Sequence, residues 1–265
     1  MEKKVILITG CSSGFGKALC KVLPREFYYV VASARKQERL ETVPADLRLT
    51  LDVCDMESIK MAVNRILQEA GRIDILVNNA GFSARSAVEE LDEKIFRAMY
   101  EVNVFGMVRM MKAVLPIMRK QKSGRIINIG SVSGRMTARI NGGYCSTKYA
   151  VEAITEAARY ELAGFGIEIC LIEPGAMDTE FFSTLAENSS EIMKDSTSPY
   201  APLYVRDIIF RKSQSKKKAE KCAEALAGIL KKRKLKMRYM IGVPLIYRLF
   251  IGLPDSVREW YMRRV

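Results

Sequence analysis

Residues 5–16 read VILITGCSSGFG, an apolar run that leads into a turn with three glycines. The apolar run predicts a buried parallel strand, and the residues after the turn predict a helix. A strand, a glycine turn and a helix in this order form a site for a dinucleotide pyrophosphate, because Gly10, Gly14 and Gly16 allow a tight turn and the helix N-terminus offers free N–H groups to an anion. We therefore predict a nucleotide-binding unit here, with Ser12, Ser13 and Phe15 in the same turn.

The alternation of strand and helix continues along the chain. Further apolar runs at 27–33, 47–51, 73–77, 125–130 and 167–172 alternate with helical segments near 56–69, 92–120 and 143–163. This order predicts an α/β fold in which a doubly wound parallel sheet of the Rossmann type is flanked by helices. Residues 1–265 are expected to form a single domain.

Positive charge is concentrated late in the chain. The 265 residues carry a formal charge of +13 and contain no histidine, and the stretch 211–238 alone holds twelve Lys/Arg and two Glu. Three interpretations remain open: a solvated helix face, contact with an anionic membrane surface, and nucleic-acid binding. Nucleic acid is disfavoured because basic and aromatic residues do not alternate regularly. The apolar stretch 240–253 cannot span a membrane, since Gly242, Pro244 and Arg248 interrupt it.

The cysteine spacing and the N-terminal residues indicate a cellular compartment. The six cysteines form no Cys-x-x-Cys pair, and a chain without histidine has no plausible zinc-ligand set, so reduced thiols and no metal are expected. The N-terminal residues MEKK enter the first strand directly, which leaves no room for a signal peptide. A cytoplasmic protein is predicted, with peripheral membrane contact as an addition.

A Tyr-x-x-x-Lys spacing supplies a candidate proton-transfer group. Tyr144 and Lys148 are four residues apart, which places both on one face of the predicted helix. A cation near a phenol stabilises the phenolate and is expected to lower the pKa of Tyr144 from about 10. Tyr144 could then donate or accept a proton near neutral pH.

Together these motifs resemble the short-chain dehydrogenase/reductase family. The shared elements are TGxxxGxG at 9–16, NNAG at 78–81, Asn103, Ser131, YxxxK at 144–148, and Pro174-Gly175 followed by Thr179. The resemblance covers residues 3 to about 180. Two positions depart from the usual pattern, since Gly130 stands where the family often has Ser and Met177 where it often has a β-branched residue. Neither departure removes a reacting group.

The resemblance implies roles for individual residues. Tyr144 exchanges a proton with the carbonyl oxygen, Ser131 orients the substrate, and Lys148 also binds the nicotinamide ribose. Asn103 holds a water that links Lys148 to solvent. The remaining implied cofactor contacts are Asp52 and Val53 beside the adenine, Asn79, Ala80 and Gly81 at a strand end, and Pro174, Gly175, Met177 and Thr179 beside the nicotinamide.

The second strand ends in residues that indicate which nicotinamide cofactor binds. About 20 residues beyond the glycine turn, NAD-binding proteins carry an acidic residue and NADP-binding proteins an arginine. This chain has Ala34-Arg35-Lys36 at that place. NADP(H) is therefore the predicted cofactor, with Arg35 and Lys36 at the 2′-phosphate.

Beyond residue 175 the helical and strand periodicity is lost. Residues 176–207 are predicted to be a substrate lid loop, whose aromatic side chains favour a lipophilic substrate. Residues 211–265 are predicted to hold a basic helix, a last strand near 238–242 and a terminal helix.

The predicted function is an NADP(H)-dependent oxidoreductase that interconverts a secondary alcohol and a ketone, or an alcohol and an aldehyde. A homodimer or homotetramer acting on a small carbonyl or alcohol substrate is expected. The alternative is a non-catalytic nucleotide-sensing or membrane-associated protein on the same fold, which would not need to retain Ser131, Tyr144 and Lys148. Sugar-nucleotide epimerases share the Tyr and Lys, but usually have a shorter glycine motif.

Overall fold

A computed structural model describes residues 2–213 and 216–264, apart from the side chains of residues 182, 183, 186 and 190. Its main sheet has seven parallel strands in the order β3-β2-β1-β4-β5-β6-β9. The strands of this sheet are β1 Lys4–Ile8, β2 Tyr28–Ala34, β3 Leu47–Thr50, β4 Ile75–Asn78, β5 Gly124–Ile129, β6 Ile167–Pro174 and β9 Arg238–Ile241. The predicted Rossmann-type sheet is thereby confirmed.

The strand order reverses between β1 and β4. From β1 the chain moves outward through β2 and β3, and it then returns to place β4 on the other side of β1. In such sheets the carboxyl ends of the two central strands open into a crevice, which is where ligands bind.

Helices cover both faces of the sheet because successive side chains of a buried strand point in opposite directions. Ile6 and Ile8 of β1 belong to one core cluster, whereas Val5 and Leu7 belong to the other. The helices of the first face are α1 (Gly14–Val22) and α9 (Ala219–Leu230), and those of the second are α2 (Met56–Ala70), α4 (Met107–Gln121) and α5 (Gly142–Leu162).

The predicted long helix 92–120 contains an irregular turn. It consists of α3 (Glu93–Tyr100), a π-helical segment Glu101–Gly106 and α4. A π-helical turn widens the helix locally and is frequent at functional sites. This one carries Asn103, which it places in the protein interior.

The segment 176–207 is not the loop that was predicted. It contains the short strand β7 (Met177–Asp178) and then α6 (Phe181–Asn188), α7 (Ser190–Lys194) and the first half of α8 (Ala201–Ser213). The prediction failed because α6 and α7 are only 8 and 5 residues long, too short to show a helical period among Ser, Asn and Pro residues. Whether the segment acts as a lid stays a prediction.

The C-terminal region contains the predicted basic helix, last strand and terminal helix, but one boundary is shifted and two elements, β8 (Lys217–Lys218) and α10 (Leu245–Ile251), were not predicted. Arg211 belongs to α8, and the basic helix α9 begins only at Ala219, after β8 has paired with β7. The chain ends with β9, α10 and α11 (Asp255–Met262). None of the helices in the described ranges has the length and apolar character needed to cross a membrane.

Candidate active site

The glycine turn is shaped by close backbone contacts. Gly10 has a φ of +69°, and a Cβ at this position would lie 2.9 Å from Ala80 Cα. A Cβ at Gly16 would lie only 2.6 Å from both Gly10 O and Asn79 Nδ2. Ser13 precedes α1 without forming a side-chain capping hydrogen bond, which leaves the first N–H groups of the helix available to a phosphate. The turn therefore fits a dinucleotide pyrophosphate.

Thr9 and Asn79 hold the ends of β1 and β4 together. The Thr9 hydroxyl oxygen accepts hydrogen bonds from the amides of Asn79 and Ala80, each at 3.0 Å. In return Asn79 Nδ2 donates to Thr9 O at 2.8 Å and to Gly10 O at 3.0 Å. The Asn79 side chain thus braces the glycine turn.

A cavity of about 580 Å³ extends from the glycine turn to the first two turns of α5. Eighteen of the predicted site residues line it: Gly10, Ser12, Ser13, Gly14, Phe15, Arg35, Asp52, Val53, Asn79, Ala80, Gly81, Ser131, Tyr144, Lys148, Pro174, Gly175, Met177 and Thr179. Gly16, Lys36 and Asn103 do not line it. Gly16 acts through its packing against the turn, Lys36 is exposed outside the cavity, and Asn103 lies behind Lys148.

Tyr144 and Ser131 face each other at the inner end of the cavity. Burial raises the pKa of Tyr144 above its ordinary value, and a hydrogen bond with Ser131 and the positive charge of Arg85 act in the opposite direction. The predicted lowering of this pKa by Lys148 is wrong, because the effect of burial outweighs the groups that act in the opposite direction. Tyr144 is therefore a neutral phenol near pH 7, which is the state that donates a proton.

Lys148 lies beneath Tyr144 with a buried ammonium group. Its Nζ donates to Ile129 O at 2.7 Å and lies 5.8 Å from the centre of the Tyr144 ring. Burial lowers the pKa of Lys148 to about 8, while the negative charge of Glu152 acts to raise it. Lys148 is consequently close to losing its charge in the physiological range.

Asn103 and Lys148 share a second, much smaller cavity of about 10 Å³. That volume is close to the minimum for one water molecule. Asn103 is held rigidly there, since its Oδ1 accepts from Phe82 N at 3.0 Å while Nδ2 donates to Phe82 O at 2.9 Å and to Thr147 Oγ1 at 3.1 Å. The geometry is compatible with the water-mediated role implied for Asn103.

Arg35 lies at the opposite end of the cavity, where β2 ends. Its side chain is exposed, and it makes no ion pair within the part of the chain that the structure describes. Asp52, on the adjacent loop, accepts a hydrogen bond from Cys54 N at 2.9 Å. A nucleotide phosphate would meet a positive, solvated guanidinium here.

Sequence reasoning missed several polar side chains at the substrate end. Arg85 lines the cavity, and its Nη1 contacts Asp207 Oδ1 of α8 at 3.1 Å. Arg85 Nε, Asn141 Oδ1 and Ser83 Oγ are buried and form no hydrogen bond with any residue in the described ranges. No sequence motif marks these residues, because the fold of the segment after residue 176 brings them together.

Fold and site together define a class of protein: an α/β oxidoreductase with a nucleotide turn, a Ser-Tyr-Lys cluster and one cavity between them. Residues 4–190 match the family model described as short chain dehydrogenase. The chain belongs to this family, and the predicted resemblance is confirmed.

Three proteins illustrate the similarity. A 3-ketodihydrosphingosine reductase of Bacteroides thetaiotaomicron is 36% identical over 99% of this chain and 98% of its own length. Retinol dehydrogenase 8 of Bos taurus is 38% identical over 77% of this chain and 69% of its own length. The crystal structure of a short-chain dehydrogenase from Streptomyces avermitilis has a TM-score of 0.81 at 31% identity, covering 99% of this chain and 96% of that one.

Proposed function

We propose that the protein is an NADP(H)-dependent oxidoreductase that interconverts an alcohol and its ketone or aldehyde, with Tyr144 as general acid and base. The observation that carries this proposal is the arrangement of Ser131, Tyr144 and Lys148 along one wall of the cavity that begins at the glycine turn. A non-catalytic nucleotide-binding protein would need the turn but not these three side chains. The enzyme is therefore the better supported of the two functions.

Three side chains of this protein would have separate roles in the reaction. A bound nicotinamide supplies or accepts the hydride. Tyr144, a neutral phenol, donates its proton to the carbonyl oxygen during reduction, while Ser131 fixes the position of that oxygen by a hydrogen bond. The ammonium group of Lys148 stabilises the resulting phenolate until a proton returns. In oxidation the same groups act in reverse.

The preference for NADP(H) is supported by Arg35. It lines the cavity where a 2′-phosphate would lie, and its side chain is free to form a bidentate contact. Lys36, which is exposed next to it, adds a second positive charge.

The proposed substrate is a lipophilic carbonyl compound that also carries a hydrogen-bonding group. Phe181 and Leu185 line the substrate end of the cavity, and the Phe181 ring lies 5.9 Å from the ring of Tyr144. Arg85 and Asn141 also line this cavity, and each has a buried polar atom without a hydrogen bond to the described residues. Both curated relatives named above act on lipid-like molecules according to their names, which agrees with this proposal.

Contact with an anionic membrane surface is a further part of the proposed function. Leu245, Ile246 and Leu249 of α10 and Trp260 of α11 are 70%, 68%, 60% and 57% exposed; with Leu253 between the helices, we call them the C-terminal apolar surface. Such a surface beside Arg248 and Arg264 suits a helix pair that lies in the headgroup region.

Assembly into a homodimer or homotetramer and a cytoplasmic location remain proposals. Exposed aromatic side chains on the outer helices, Phe105, Tyr149 and Tyr160, support self-association. Light scattering on the purified protein tests this directly, and a monomer at all concentrations would reject it.

The catalytic assignment is tested by Tyr144→Phe. This change removes only the proton donor, so turnover of a ketone should fall by about 10²-fold or more while NADPH affinity stays unchanged. Tyr149→Phe is the matched control, because Tyr149 lies on the same helix but is 42% exposed. Full activity in Tyr144→Phe would refute the assignment.

A further inference from the structure

Two buried glutamates lie behind the Ser131, Tyr144 and Lys148 cluster. Glu152 follows Lys148 by one turn of α5, and Glu173 lies near the end of β6 with none of its surface exposed. Three of the four carboxyl oxygens of this pair, Glu152 Oε1 and both oxygens of Glu173, form no hydrogen bond with the residues that the structure describes. Buried carboxylates are costly unless charge or hydrogen bonds compensate them.

The compensating charges are too few for both carboxyl groups to ionise easily. Arg238 Nε lies 3.0 Å from Glu152 Oε2 and 3.4 Å from Glu173 Oε1, and Arg135 lies 3.7 Å from Glu173. The other side of Arg238 is occupied by Glu156, at 2.6 Å. Two arginines thus face three carboxyl groups.

Both carboxyl groups therefore keep their protons to a higher pH than ordinary glutamates do. Burial, and then the negative charge of Glu173, raise the pKa of Glu152 to about 7. Burial also raises the pKa of Glu173, although Arg135 and Arg238 oppose the change. The negative charge beside Lys148 therefore grows as the pH rises through neutrality.

Gly130 provides the space that this arrangement needs. A Cβ at position 130 would lie 3.0 Å from Glu152 Oε1 and 3.3 Å from Leu171 Cδ2. The carboxyl group of Glu152 thus occupies the space into which a side chain at position 130 would extend. The departure from the family pattern at Gly130 is explained by Glu152.

We propose that Glu152 is a positioning residue that keeps Lys148 in its ammonium form, and that the pair Glu152–Glu173 supplies the required negative charge by releasing one proton. The inference rests on the proposed function, in which the Lys148 ammonium stabilises the phenolate of Tyr144. Without the charge of Glu152, nothing in the described part of the chain would oppose the lowering of the Lys148 pKa by burial. Its ammonium would then be lost at a lower pH, and with it the stabilisation of the phenolate.

The first test is the pH dependence of turnover in Glu152→Gln. This nearly isosteric change removes the charge, so the alkaline limb of the kcat/KM profile should move to lower pH by about one unit. Glu156→Gln is the matched control, because Glu156 lies on the same helix and pairs with the same Arg238 but is one turn farther from Lys148. Its profile should match that of the parent protein. A uniform loss of activity in Glu152→Gln, with no shift of the limb, would show a purely structural role.

The second test needs no catalysis. The titration of Lys148 can be followed by NMR of its 13Cε resonance, which Lys148→Arg assigns by removing it. The pKa of Lys148 should be about one unit lower in Glu152→Gln than in the parent protein and in Glu156→Gln. Equal Lys148 titration in Glu152→Gln and the parent would overturn the proposal. A parent protein that reduces no carbonyl compound, but whose Lys148 titration shifts in Glu152→Gln, would reject the proposed function alone.

If Glu152→Gln does not fold, Glu173→Gln provides another test of the effect that the Glu152 charge has on Lys148. This change removes the neighbour that raises the pKa of Glu152, so Glu152 should ionise at lower pH. Because Glu152 then carries its charge throughout the range in which Lys148 titrates, the pKa of Lys148 should stay at or above that of the parent protein. A fall in the pKa of Lys148 would contradict the proposal.

Discussion

At the scale of single residues, the proposed preference for NADP(H) depends on Arg35. Replacing it by Asp puts a negative charge where the 2′-phosphate of NADPH would bind, so the affinity for NADPH should fall by about tenfold or more while NADH binds at least as well as before. Fluorescence titration of both cofactors measures this. Arg39→Asp is the control, since Arg39 is exposed nearby but does not line the cavity. Equal affinities for the two cofactors in the unchanged protein would refute the NADP assignment.

Single residues also show where sequence reasoning succeeds. The glycine turn and the pair Tyr144 and Lys148 could be predicted because each lies within one short segment and because they occur together with the other motifs of the family. Arg85 and Asn141 were missed, since each reaches the cavity only through contacts distant in sequence. The direction of the Tyr144 pKa was also misjudged, because burial cannot be read from the spacing of two residues.

At the scale of elements, α8 is fastened to the loop after β4 by Tyr204. Tyr204 is fully buried, and its hydroxyl contacts Glu90 and accepts a hydrogen bond from Ala87 N at 3.1 Å. Tyr204→Phe leaves these groups without a partner, which should lower the free energy of unfolding by about 1–3 kcal/mol and increase amide exchange in the segment 181–213.

Tyr200→Phe is the control for this measurement, because Tyr200 bonds to Glu89 at the protein surface. Its effect should be within about 0.5 kcal/mol of zero. Equal effects of the two changes on stability and exchange would show that Tyr204 does not fasten the segment.

The elements themselves were predicted unevenly. Long, strongly periodic elements such as α2 and α5 were placed within one residue or two of their observed ends, since their apolar positions repeat over several turns. The π-helical turn before α4 could not be predicted, because a single widened turn leaves no signal in the apolar pattern of a long helix. The short helices after β7 were missed for lack of a repeating pattern.

At the scale of the whole molecule, stability should depend on the buried carboxyl pair. The folded-state pKa of Glu152, about 7, lies above the ordinary 4.5, so the unfolded chain loses this proton at lower pH than the native protein. The contribution of the raised Glu152 pKa to the free energy of unfolding is complete below the pKa of Glu152 in the unfolded chain. It is lost as the pH rises through about 7. In Glu152→Gln the decline in unfolding free energy from about pH 5 to about pH 7.5 should be smaller by up to about 3 kcal/mol.

Urea denaturation at the two pH values measures this difference. Glu156→Gln serves as the control and should keep the decline of the parent protein, because Glu156 is not held in the protonated form. An unchanged decline in Glu152→Gln would mean that another group causes the pH dependence.

The proposed membrane contact also concerns the whole protein, and vesicle binding tests it. The protein should co-sediment with anionic vesicles at low salt, bind them less at high salt, and bind neutral vesicles weakly. Leu245→Asp combined with Leu249→Asp should abolish binding, whereas Met61→Asp, at an exposed position on α2, should not. The parent protein could instead bind no vesicles but form a dimer that the double variant loses in light scattering. That result would assign the C-terminal apolar surface to contact with a second copy of the chain.

The end of β6 and the segment after β9 meet through main-chain atoms. Gly175 N donates to Ile241 O at 2.9 Å, and a Cβ at position 175 would lie 2.6 Å from Gly242 O. The wall of the cavity is therefore linked to the start of α10 without an intervening side chain. In a saturation-mutagenesis screen, every substitution of Gly175 should therefore impair the protein. Substitutions of neighbouring side chains should leave the end of β6 and the segment after β9 in contact, because main-chain atoms form this contact. Only a change in the length of the chain between Gly242 and Leu245 would separate them.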